Sequence, residues 1–239
     1  MANATRFRSA FICRLLGWVV LLGGVLSAPA SRASAPATRL TAAEHATPAP
    51  GERLRIAAGT TYLGTITITN DSVTIDNYGT LAGTVVVSSG VKGTIINNLG
   101  EVTSQTIYLN APTTINNGSD GTTLAPGATW TGYIGDTFGA APTINNFARF
   151  AGEIYTLPGA TIRNQRGAIW DAYIHDNSAA LTIINEGTWQ ASLLASGNLR
   201  VQNTGLWTSR LITTGPATVS NVSTWSGRGA SVASRHPRR

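Results

Sequence analysis

The stretch Asn185-Glu186-Gly187-Thr188-Trp189-Gln190-Ala191-Ser192-Leu193 decides the fold, because it recurs. Its second half sets a bulky residue, a small one two places on, and an aliphatic one two places after that. The same spacing appears in Leu81-Ala82-Gly83-Thr84-Val85, Trp130-Thr131-Gly132-Tyr133-Ile134 and Phe150-Ala151-Gly152-Glu153-Ile154. It returns in Trp170-Asp171-Ala172-Tyr173-Ile174 and Trp207-Thr208-Ser209-Arg210-Leu211, with a degenerate copy at Val102 and a weaker one at Trp225. The first positions follow one another in steps of 21, 28, 20, 20, 19, 18 and 18 residues. A period near 20 sustained over most of a chain is the mark of a solenoid.

The first half of the quoted stretch belongs to a second, interleaved repeat: an aliphatic residue, any residue, then Asn, soon followed by Gly or another small residue. It ends at Asn77, Asn98, Asn117, Asn146, Asn164, Asn185, Asn203 and Asn221, in steps of 21, 19, 29, 18, 21, 18 and 18. Two motifs that keep nearly the same period argue against chance similarity. Each repeat reads as a short strand, an Asn-centred turn and a second short strand. A looser stretch such as Val86-Val87-Ser88-Ser89-Gly90 closes the coil. Period-2 patterning rich in Thr, Val, Ile and Trp favours strand over helix. The leucine-rich signature is absent, and propeller blades need about twice this period. The expected fold is all-β: a single-stranded parallel β-helix of about eight coils with an 18–21-residue repeat. Successive coils would stack about 4.8 Å apart, as neighbouring strands do in a sheet.

Asn77-Tyr78-Gly79-Thr80-Leu81, Asn185-Glu186-Gly187-Thr188-Trp189 and Asn203-Thr204-Gly205-Leu206-Trp207 carry a resemblance. They resemble the repeats of secreted bacterial adhesin-type proteins, such as filamentous-haemagglutinin-like and autotransporter passenger domains. The resemblance covers roughly residues 65–229 and implies a β-helix in a secreted or surface setting with an adhesive role.

Charge and composition bound the rest. The chain has 239 residues and a net charge of +6. Residues 51–227 carry eight basic and ten acidic side chains, so this body is about −2 and the positive charge sits at the two ends. A nucleic-acid binder should show its basic stripe on the folded domain, so nucleic acid is not an expected partner. Residues 1–35 read as a signal peptide: Arg6, Arg8 and Arg14 precede an apolar run of 12 residues, Leu15 to Leu26, then small-residue sites ending at Ala30 and Ala35. That run is short for a membrane span, so a membrane enters only if the signal stays uncleaved. Cys13 is the single cysteine and precedes the apolar run; the processed chain would hold neither disulfide nor thiolate metal site. Residues 36–52 read as a flexible Ala/Thr/Pro lead-in, 53–229 as the β-helix and 230–239 as a basic disordered tail. A solenoid needs caps. Residues 53–64 are expected to cover the first coil, while the last coil is left to pair with another chain or with a continuation of this one.

The Asn column reads as a structural ladder, each amide bonding backbone and the Asn above it. The column Leu81, Trp130, Phe150, Trp170, Trp189, Trp207 and Trp225 reads as a hydrophobic ladder facing inward. The residues between would then face outward. Tyr133, Glu153 and Tyr173 fall at equivalent positions of successive coils with Asp171 diagonal to Glu153, making these four the expected ligand surface. The expected partners are surface glycans or other copies of the chain, with no cofactor and no metal. The leading expectation is a secreted or cell-surface structural and adhesive module without catalysis. The alternatives are a carbohydrate-binding module and a polysaccharide lyase or hydrolase using Glu153, Asp171, His175 and Asp176, since paired carboxylates serve glycoside hydrolysis.

Overall fold

In a computed structural model the described residues are 37–41, 44–104, 106–135, 140–155, 158–175, 180–227 and, for backbone only, 231–232. They lie within one unit, Ala35–Arg239, and form three parallel sheets. The first sheet has ten strands and contains every Asn motif, from Thr74–Asn77 to Ala217–Asn221. The second has eight short strands and carries the bulky column, from Thr61–Tyr62 to Leu206–Trp207. The third has ten and includes Tyr133–Ile134, Glu153–Ile154 and Tyr173–Ile174. The chain visits them in rotation, so each strand pairs with its counterparts one coil before and after. The result is an all-β parallel solenoid of about nine turns with a repeat of about 19 residues.

Register follows the repeats. Asn77 pairs with Asn98, and the column continues in step to Asn221. Leu81, Val102, Trp130, Phe150, Trp170, Trp189 and Trp207 pair in order. Alternation then sends every second residue inward, because successive side chains of a strand point to opposite faces. Ile75, Ile96, Ile115, Ile144, Ile162 and Ile183 fill the core from the first sheet, and Ile134, Ile154 and Ile174 from the third.

The four tryptophans from Trp130 to Trp207 and Phe150 are fully buried. Their rings, continued by Trp225, stack face to face with centroids 4.6–5.0 Å apart and planes within 11°. That spacing is the coil rise itself, so the backbone repeat sets the ring repeat. The column starts one coil before Leu81: Tyr62 pairs with Leu81, is fully buried, and donates its hydroxyl to the Glu44 carbonyl. Its motif, Tyr62-Leu63-Gly64-Thr65-Ile66, has the same bulky–small–aliphatic spacing. Burial, aided by Glu44, pushes the Tyr62 pKa up to about 12.

Each inner Asn satisfies the corner it occupies. The Asn98 amide donates to Asn117 Oδ1 at 2.7 Å and to the Thr129 carbonyl at 2.9 Å, while Asn98 Oδ1 accepts from Asn77 and from the Gly100 N–H. Asn146 repeats the pattern with Asn164, Ile169, Asn117 and Ala148. Buried polar groups left unpaired at a tight turn are costly, and this side chain pairs four groups at once.

The ends differ from expectation. Residues 53–64 form a coil of the solenoid rather than a cover over it. The stretch read as a lead-in lies above that coil: Thr38–Arg39 pairs with Leu54 and Arg55, His45–Ala46 pairs with Thr65 and Ile66, and Leu40 is buried. At the other end Ser231–Val232, within the stretch read as a disordered tail, pairs with Ile212 and Thr213. Residues 1–36 and 233–239, including the signal and most of the tail, lie outside the described residues.

The one long step, Asn117 to Asn146, holds a loop closed by an antiparallel bridge between Ser119 and Leu124. Gly118 turns it with φ 86°, a left-handed angle that glycine adopts without penalty. Asp120 ties the loop back to Tyr78. Partial desolvation works against its carboxylate charge. Hydrogen bonds from the Thr123 N–H, the Thr122 hydroxyl and N–H, and the Tyr78 hydroxyl outweigh that effect and hold its pKa well below the usual carboxylate range.

Candidate ligand-binding face

The outward side of the third sheet is built by the alternation that buries Ile134, Ile154 and Ile174. The residue before each points outward, and these three are Tyr133, Glu153 and Tyr173, paired in register as the sequence led us to expect. The residues after Ile154 and Ile174 are Tyr155 and His175, the next outward positions on their coils. The equivalent position after Ile134 is Gly135. A Cβ there would come within 2.7 Å of the Tyr108 ring, so the missing side chain leaves room for Tyr108 to lean across.

A strip of rings results. Tyr133 and Tyr155 have centroids 6.2 Å apart at 53°, and Tyr155 stacks on His175 at 5.0 Å. Tyr173 meets His175 edge-on at 4.5 Å. Tyr108, Tyr155 and Tyr173 remain 41%, 46% and 42% exposed, unlike any ring of the inner column from Tyr62 to Trp207. The Glu153 carboxylate is exposed and lies 3.7 Å from His175 Nε2, too far for a hydrogen bond and an ion pair only when the imidazole is protonated. Nε2 itself is buried with no hydrogen-bond partner among the described residues. Beside Tyr133 and Glu153 an open groove of about 470 Å³ runs over Thr103, Ser104, Thr131, Ala151 and Gly152.

Asp171 stands apart from this cluster. It sits at the corner between the second and third sheets, where its carboxylate accepts from the Arg149 guanidinium at 3.1 Å. Of the ionisable residues grouped from the sequence, Glu153 therefore lies beside His175, while Asp171 is engaged by Arg149, a residue outside that group. Asp176 lies outside the described residues, as does Arg228, while Arg210 is exposed two coils beyond Tyr173. Among the described residues no three His, Cys, Asp or Glu side chains gather as a metal site.

Sequence reading missed Tyr108 and Tyr155 on this face. Their signal was the residue just after the aliphatic position: Ile107-Tyr108, Ile154-Tyr155 and Ile174-His175 share it. It also missed a second polar ladder on the outside of the first sheet. Asn97 donates to Asp76, Asn116 to Asn97 and Asn145 to Asn116, each at 2.8 Å, and Arg53 closes the row on Asp76. The doublets Asn97-Asn98, Asn116-Asn117 and Asn145-Asn146 announced it: two adjacent asparagines on a strand face opposite ways.

Compared with known proteins, the chain matches no family model, no curated protein and no solved structure.

Proposed function

We propose that this chain is a secreted or surface-displayed, non-catalytic β-solenoid that acts as a rigid spacer bearing an adhesive face. The observation that carries the reading is the strip of half-exposed rings beside Glu153, mounted on coils whose interior is filled by ladders. A face held this way presents contact groups without an ordering cost on binding, the condition for recognition by a preorganised surface. The charged leader and apolar run of residues 1–35 support export, and the adhesin-like repeats support an adhesive role.

The test is adhesion by the full chain. Expressed with its leader, the processed protein is expected outside the cytoplasm. Beads coated with it are expected to bind glycan-covered surfaces, and Tyr155→Ala/Tyr173→Ala should reduce that adhesion at least fivefold. Retention in the cytoplasm, or adhesion indifferent to the double substitution, would overturn the reading.

One observation favours a second reading. Glu153 faces His175 next to a groove, an acid and a base within reach of one bound sugar. A polysaccharide-cleaving enzyme would release new chain ends from a polymer panel, and Glu153→Gln would abolish the release.

A further inference from the structure

The direction and charge of the ring strip narrow what it can hold. Tyr108, Tyr133, Tyr155 and Tyr173 come from four successive coils, so the strip runs along the solenoid axis. Each coil advances about 4.8 Å, close to the advance of one sugar in an extended glycan chain. The strip is two columns wide, Tyr133, Glu153 and Tyr173 in one and Tyr108, Tyr155 and His175 in the other, and it is bounded along the axis: the outward positions before Tyr133 are Thr65, Thr84 and Thr106, and the one after Tyr173 is Ser192. A row of rings one or two side chains wide, ending in small polar groups along the axis, matches a chain-like ligand better than the broad surface of a folded protein.

Charge selects among chains. Among the described residues the titratable groups facing the strip, besides its tyrosines, are Glu153 and His175; the nearby cation Arg149 is engaged by Asp171, and Arg210 lies two coils further along. An exposed carboxylate at the midpoint repels uronate and sulfate groups and accepts hydrogen bonds from sugar hydroxyls. His175 places its ring against Tyr155 and Tyr173 beside that carboxylate and holds the centre of the strip in place. The aromatic rings offer flat apolar faces to the C–H faces of sugars.

We propose that the strip of Tyr108, Tyr133, Tyr155 and Tyr173, with Glu153 and His175 at its centre, binds an uncharged linear glycan laid along the solenoid axis, about one sugar per coil. The inference rests on the reading of this face as the contact surface and adds the ligand's charge, shape and orientation.

The experiment is calorimetric titration of the full chain with β-1,4-linked glucose and N-acetylglucosamine oligomers of increasing length, and with oligogalacturonate. Affinity for at least one neutral series is expected to rise at least tenfold from dimer to tetramer and then level off. Oligogalacturonate of equal length should bind at least tenfold more weakly. Tyr155→Ala should cost about tenfold, and Glu153→Gln should narrow the gap between galacturonate and neutral oligomers at least threefold. Circular dichroism of each variant establishes that it is folded, and Glu153, being exposed, is replaced without disturbing the core. The inference is overturned if neither neutral series binds, if affinity ignores length, if galacturonate binds as well, or if Tyr155→Ala binds like the parent. Full-chain adhesion that persists while the oligomers fail would remove this inference alone; loss of both would remove the proposed function with it.

Discussion

Trp170 and Tyr173 stand three residues apart on one coil, one inside the solenoid and one outside. The inner ring sits between Phe150 and Trp189 at 4.6 and 5.0 Å, nearly parallel to both, and its Nε1 donates to the Ala172 carbonyl. The outer ring touches His175 edge-on and is 42% exposed. Inside, the rings from Trp130 to Trp225 repeat one geometry, because the backbone rise dictates it. Outside, the angles run from 27° to 84° and no two neighbours repeat. Regular stacking marks the scaffold here, and irregular, half-exposed stacking marks a surface with room for a ligand.

The contrast breaks first at the inner rings. Phe150→Ala leaves a ring-sized void between Trp130 and Trp170 and should cost about 3–5 kcal/mol in urea unfolding. A cost below about 1 kcal/mol would mean the column is not the core. The two asparagines of one doublet repeat the contrast in polar form. Asn146→Ala removes four bonds, three of them buried, and should cost about 3 kcal/mol, whereas Asn145→Ala loses one part-buried bond and should cost about 0.5–1 kcal/mol. Equal costs would contradict the distinction between the inner and outer ladders.

Alkali probes the start of the column. Tyr62 has a folded pKa of about 12, above its unfolded value near 10. The folded state therefore holds the proton more tightly. Stability from Tyr62 is complete below pH ~10 and is lost as pH rises through about 12, by about 2–3 kcal/mol. Chemical unfolding across that interval should show the loss, and Tyr62→Phe should remove it. A smaller difference sharpens the stack itself. Trp170 Nε1 is bonded while Trp130 Nε1 is buried with no partner among the described residues. Trp170→Phe should therefore cost about 1 kcal/mol more than Trp130→Phe; the reverse order would show that the indole bond is not what distinguishes them.

The solenoid was legible because its period is carried by the residues that stack. Trp at the same place in each repeat predicts both coil and inward face, and Asn at the same place predicts the turn. Part of the outer face followed from alternation alone, giving Tyr133, Glu153 and Tyr173. Tyr155 and Tyr108 escaped because the motif was read only as far as its second aliphatic residue. The outer ladder escaped because Asn97 and Asn116 were read as spacers before the inner asparagines. The lead-in escaped for another reason. The pairing of Thr38–Arg39 and His45–Ala46 depends on Arg55 and Ile66, partners that local Ala/Thr/Pro composition does not contain.

The claim that inner ladders hold the solenoid while the outer strip is free for a ligand is tested most directly on Trp170 and Tyr173 together. Equilibrium unfolding should show Trp170→Ala losing about 3–5 kcal/mol and Tyr173→Ala losing less than about 1 kcal/mol. Equal losses, or a larger one for Tyr173→Ala, would place the outer rings in the scaffold and contradict the account.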